Sequence, residues 1–166
     1  MPSAVGAVPA HRDENVGRTE LFGFWAKYFQ QQAAKRKRDM SWSHLFGLAV
    51  AGGLGTLARA GVAELALRWC DRDFPWGTFA VNVFGGLLFG LITAVGRGRF
   101  ALPTGLETVL LVGFLGGFTT YSSFAFQSVA LLEQGRLLAA TANVIGTTVA
   151  ALLAVAAGLQ LGRLAG

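Results

Sequence analysis

Long apolar stretches, a near-absence of charge inside them and turn-length connections between them specify an all-α membrane protein with four transmembrane helices per subunit. Charged residues make up 14% of the 166-residue chain, where a soluble domain carries about 25%. Most of these charges lie before Asp39 or in short clusters between the apolar blocks. Mean hydropathy is +0.50. A β-barrel is excluded, because the blocks lack strict alternation and are too long for strands.

Residues 1–39 read as an N-terminal extension and residues 40–166 as the membrane domain. The extension starts polar, rich in Gly and Pro and without periodicity, so disorder is expected over 1–19. It lacks the early apolar core and small-residue cleavage site of a secretory signal. Leu21, Phe22, Phe24, Trp25, Tyr28 and Phe29 then recur at helical spacing, followed by the basic run Lys35, Arg36, Lys37 and Arg38. An aromatic stripe beside a polybasic cluster predicts an amphipathic helix at the lipid headgroups. Docking on the bundle or on a partner is the alternative.

Crossing roughly 30 Å of hydrocarbon takes about 20 helical residues, and four blocks meet that length: 44–67, 76–96, 106–132 and 137–161. Their connections, CDRDFP, RGRFALPT and EQGR, are turns that force neighbouring helices antiparallel. The single cysteine, Cys70 in the first connection, cannot form an internal disulfide. Basic residues at span ends account for the net charge of +5 without nucleic acid. Outside the extension, Arg97, Arg99 and Arg163 on one side balance Arg68, Arg72 and Arg136 on the other. Such a core has almost no orientational bias, although Lys27 and the basic run favour a cytoplasmic N-terminus.

Polar groups at membrane depth are costly, so each is a candidate site. In the first span, Gly53, Gly55 and Ala58 mimic a dinucleotide fingerprint, but four spanning blocks leave no room for the βαβ unit it requires. Small residues there instead allow close helix approach. Arg59 is a cation at the inner end of that face; snorkelling, with Glu64 or the next connection's acids as partners, is the structural reading. In the second span Asn82 must bond another helix or face water, and Gly86 and Gly90 form a GxxxG packing face. The third span crowds Gly113, Gly116 and Gly117 against Thr119, Thr120, Ser122 and Ser123, with Phe118, Tyr121, Phe124 and Phe126 interleaved. That composition predicts a helix broken mid-span, since hydroxyls or an ion can meet the freed carbonyls; a kinked structural helix is the alternative. In the fourth span Asn143 and Thr147 share a face one turn apart, with Thr148 beside them.

The strings GGLGTLAR, GTFAVNVFGGLLFG and GFLGGFTTYSSF, in this order on four spans, resemble the bacterial fluoride channel family (Fluc, also called CrcB) over about residues 44–163. The resemblance implies an antiparallel, dual-topology homodimer in the cell membrane, conducting fluoride passively out of the cytoplasm through two pores. It implies a structural sodium ion at the dimer centre, held by backbone carbonyls at Gly116 and Thr119. It also implies pore roles for Asn82, Tyr121, Phe124, Ser122 and Ser123, and for Asn143 and Thr147 of the fourth span. Arg59 matches the family's first-helix arginine, at a pore mouth or as an anchor. The family's ring pair is two phenylalanines, so Tyr121 departs by adding a hydroxyl; at Asn143 the family more often carries tyrosine.

A proton-coupled exporter of the small multidrug resistance type is the rival reading. It needs a membrane-buried carboxylate, whereas Glu64, Glu107 and Glu133 all lie near span ends. A membrane scaffold would leave the third span's polar groups without purpose. No enzyme constellation appears, since His11 and His44 have no ligand partners at metal spacing.

Overall fold

The computed structural model describes residues 41–97 and 102–165. The extension's aromatic stripe and basic run, like Arg99, lie outside the described residues. All elements among the described residues are helical, and four helical spans are long and apolar enough to cross a membrane. The chain is a multi-pass membrane protein.

Helix α1 (Trp42–Trp69) starts at Ser41, whose hydroxyl accepts the His44 N–H at 3.2 Å, an N-cap interaction. It extends two residues beyond the expected block at each end. Helix α2 (Trp76–Arg97) follows the first connection. The third span is two helices, α3 (104–118) and α4 (Tyr121–Glu133), separated by Thr119 and Thr120 in extended conformation. Helix α5 (137–165) is the fourth span. Val109–Phe114 within α3 and Ala142–Gly146 within α5 are π-helical, wide turns of a kind that recurs beside functional sites.

Helix α4 ends on Gly135, with φ of 71°. There the Gly135 N–H reaches the Leu132 carbonyl at 2.9 Å and the Arg136 N–H reaches the Leu131 carbonyl at 2.9 Å. This is a Schellman ending, which requires the left-handed conformation glycine adopts without steric cost. It also projects Arg136 towards the first connection. Its guanidinium donates to the Asp73 backbone carbonyl and, at 3.0 Å, to the Asp73 carboxylate. The charge counted from sequence as a topology signal therefore also ties two connections together.

Glycine sets the helix pairing. Helix α1 lies against α3, and α2 runs along α5. A methyl group on Gly55 would overlap the Phe114 carbonyl, and one on Gly158 would overlap the Leu87 carbonyl. Gly86 and Gly90 face Ala151 and Val155 of α5, as a GxxxG face should. Within one subunit the first-span glycines divide between two faces. Gly52 and Gly55 meet α3, whereas Gly53 is exposed, with nothing within 4 Å of where a Cβ would stand. Residues three apart share a helix face, and Gly53 points about 100° away from Gly52.

The interior is small. Val81, Leu115 and Phe118 form its centre, with Ala58, Val62 and Leu88 packed around them. Large apolar side chains such as Phe46, Leu57 and Leu152 stay exposed. Lipid, as apolar as leucine, removes the cost that water would impose on them.

Candidate functional site

The interruption of the third span organises the site. At its upstream edge Thr119 satisfies the Leu115 carbonyl twice, through its N–H at 2.9 Å and its hydroxyl at 2.8 Å. An unbroken α-helix would then place the Thr120 N–H on the Gly116 carbonyl. Instead it donates to Asn82 Oδ1 at 2.9 Å, and Asn82 Nδ2 donates back to the Thr120 carbonyl at 3.1 Å. One side-chain amide on α2 thus stands in for the helical partners of the displaced residue. The Thr120 hydroxyl caps α4 by accepting the Ser123 N–H at 3.2 Å, and it donates to Ser123 Oγ at 3.0 Å. Gly85 lies directly beneath, where a Cβ would overlap the Thr119 methyl group.

The break turns two helix ends towards each other. The C-terminus of α3 presents carbonyls and a partial negative charge; the N-terminus of α4 presents N–H groups and a partial positive charge. A groove of about 470 Å³ opens beside them, walled by α2, both halves of the third span, and α5. None of the described residues that line it is charged. Asn82, Gly116, Thr119, Tyr121, Phe124 and Thr147 all line it, bringing most of the sequence-predicted site residues to one surface. The Tyr121 and Phe124 rings lie 5.7 Å apart with their planes inclined at 47°, and Tyr121 is 80% exposed.

Other expected residues stand apart from the lining. Ser122 and Ser123 adjoin it through the Thr120 hydroxyl cluster. Asn143 is wholly buried and does not line the groove; its Nδ2 donates to Ser128 Oγ at 2.9 Å, and its Oδ1 accepts from the Thr147 hydroxyl at 3.1 Å. Arg59 sits half-buried on α1, outside the groove. Glu64, considered as its partner, pairs instead with Arg68 at 3.0 Å. Arg68 stands one helical turn beyond Glu64 in the favourable i,i+4 order, acid before base.

Two contributors escaped the sequence reading. Thr120 stood there only as one hydroxyl among several, though it is the residue Asn82 grips. Ser128 was not singled out, although its position one turn after Phe124 and its hydroxyl in an apolar run were legible.

The family model described as "CrcB-like protein, Camphor Resistance (CrcB)" matches residues 46–159. A "Fluoride-specific ion channel FluC" of Solidesulfovibrio magneticus is 49% identical over 117 residues, which is 70% of this chain and 94% of that protein. The protein of that name from Nitratidesulfovibrio vulgaris is 45% identical over 70% of this chain and 94% of its own length. A third, from Nitrobacter winogradskyi, is 37% identical over 75% of this chain and 98% of its own length. The aligned length takes in the first-span glycines, Asn82, the broken third span and the fourth-span hydroxyls, and the chain belongs to the CrcB-like family.

Proposed function

We propose that the chain is a fluoride-selective channel of the cell membrane, carrying cytoplasmic fluoride outwards by passive conduction. The observation that carries this reading is an uncharged groove lined by neutral donors and aromatic rings at a helix break, in a chain whose relatives are named for that ion. Fluoride holds its water tightly, and stripping a small ion into a medium of low dielectric costs on the order of 20 kcal/mol in the idealised limit. A pore must therefore replace water with donors. The Asn82 amide keeps a second N–H after serving Thr120, whereas the Thr119, Thr120 and Thr147 hydroxyls donate within the fold and reach an anion only by turning from those partners. Tyr121 and Phe124 can turn the positive edges of their rings to an anion. Neutral donors in series bind weakly enough for release, which conduction requires.

The working unit in this reading is an antiparallel homodimer with two pores. The three-against-three arginine balance permits dual insertion of the core, and the strongly exposed Tyr121 ring at the groove leaves room for the second copy. Thr147 lines the pore with Asn143 behind it, Ser122 and Ser123 extend the polar track, and Arg59 serves at a pore mouth or as an anchor.

A structural sodium ion belongs to the same proposal, and the residues fit one. Diverting the Thr120 N–H to Asn82 takes the helical donor from the Gly116 carbonyl, and nothing stands within 4 Å of where a Cβ on Gly116 would sit. Hard cations take oxygen ligands, and the described residues contain no His, Cys, Asp or Glu cluster to offer instead. The carbonyls of Gly116 and Thr119 would hold the ion. When bound, it supplies positive charge that joins the two broken helices and offsets nearby anions.

The multidrug-exporter alternative needs a membrane-buried carboxylate, and among the described residues no acid lines the groove. Liposomes containing the purified protein should release fluoride and retain chloride when the membrane voltage is held at zero. Release of both anions at similar rates would refute the selectivity.

A further inference from the structure

We infer that Ser128 is a positioning residue of the groove, holding Phe124 and Thr147 in register through a buried chain of hydrogen bonds between the third and fourth spans. The inference rests on the conducting role proposed above, because its two ends are groove walls. The Thr147 hydroxyl donates to Asn143 Oδ1 at 3.1 Å, Asn143 Nδ2 donates to Ser128 Oγ at 2.9 Å, and Ser128 Oγ donates to the Phe124 carbonyl at 2.8 Å. Thr147, Asn143 and Ser128 are 3%, 0% and 6% exposed. All three bonds point the same way, so each donor polarises the next. Neither Asn143 nor Ser128 touches the groove, yet each fixes a residue that does.

Loss of the Ser128 hydroxyl has consequences at both ends. The Asn143 amide loses its acceptor at a wholly buried position, which favours rotation towards another partner. Thr147 then loses the partner that orients its hydroxyl. The Phe124 carbonyl is also released from a serine bond of the kind that bends helices, so the turn carrying the ring shifts. The π-helical segment Ala142–Gly146 brings Asn143 to this seam from the fourth span.

Fluoride efflux and the side-chain amide exchange of Asn143, followed in ¹⁵N-asparagine-labelled protein in nanodiscs, test this together. The chain has only Asn15, Asn82 and Asn143 to assign. The parent should show slow Asn143 exchange. Ser128→Ala should speed that exchange at least tenfold and lower fluoride efflux about tenfold, while Ser128→Thr, which keeps the oxygen, should restore efflux to within about threefold of the parent. Fast Asn143 exchange in the parent, or efflux of Ser128→Ala within twofold of the parent, overturns the inference. So does Ser128→Thr failing as badly as Ser128→Ala. If Ser128→Ala does not fold, parent exchange and the Ser128→Thr efflux decide. A parent with slow exchange that moves no fluoride refutes the channel reading instead, and a tenfold faster exchange in Ser128→Ala then still upholds the hydrogen-bonded chain.

Discussion

The two halves of the third span solve opposite packing problems. Helix α3 meets α1 through glycine: Gly55 lies against the Phe114 carbonyl, Gly117 against the Gly52 carbonyl, and Gly113 against Ala51. Backbones come into direct contact there, and Ala58 and Val62 of α1 pack beside them on Leu115 and Phe118 of α3. Helix α4 meets its neighbours through hydroxyls and amides, with Asn82 clasping the Thr120 backbone at its start and Ser128 bonding Asn143 further along. One half is held by shape and the other by donors and acceptors. Without a hydrophobic force between helices in lipid, close approach and interhelical hydrogen bonds are the means left. Polar groups reach the open groove at the break itself, from the carbonyl end of α3 at Gly116 through Thr119 and Thr120 to the start of α4, so glycine contact dominates upstream and polar contacts gather from the break onward.

The largest effect is expected where charge enters the polar half. Asn82→Asp removes the donor to the Thr120 carbonyl and adds a carboxylate to the proposed path. An uncompensated charge of this kind costs about 3 kcal/mol, so fluoride efflux from liposomes should fall roughly 100-fold. Unchanged flux would show that Asn82 does not face the ion.

The close-packed half breaks differently. Gly55→Ala forces a methyl group onto the Phe114 carbonyl and should cost about 2 kcal/mol, read as a lower thermal midpoint in detergent. Gly53→Ala, two positions away in open space, should keep the midpoint or raise it, since alanine is the better helix former by about 1 kcal/mol. Equal losses from both substitutions would erase the distinction between the two faces of α1.

A smaller effect sharpens the boundary between the halves. Thr120→Val deletes the N-cap of α4 and should cost about 1 kcal/mol by thermal unfolding, with a measurable fall in fluoride efflux. The Asp73–Arg136 pair lies just beyond the C-terminal end of α4, at the opposite end of that helix from the break, and Asp73 is 85% exposed. Asp73→Ala should therefore shift stability by no more than about 1 kcal/mol and leave efflux unchanged. A larger loss would mean that the connections, rather than the spans, hold the bundle.

What the amino-acid sequence determined alone was the membrane class, the four spans and the place of the break. Those properties depend on local composition: apolar run length answers to bilayer thickness, and glycines beside threonines weaken a helix wherever it sits. The string GFLGGFTTYSSF contains its own instruction to interrupt. Tertiary structure alone decided partners and facing. Gly52 rather than Gly53 meets α3, Glu64 bonds Arg68 rather than Arg59, and the fourth-span amide of Asn143 turns inward to Ser128 instead of reaching the groove. These outcomes depend on the rotational phase of each helix, which π-helical turns reset and which only packing against a neighbour can select. A hydrogen bond between residues 38 apart, such as that from Asn82 to Thr120, exists only once two spans have come together.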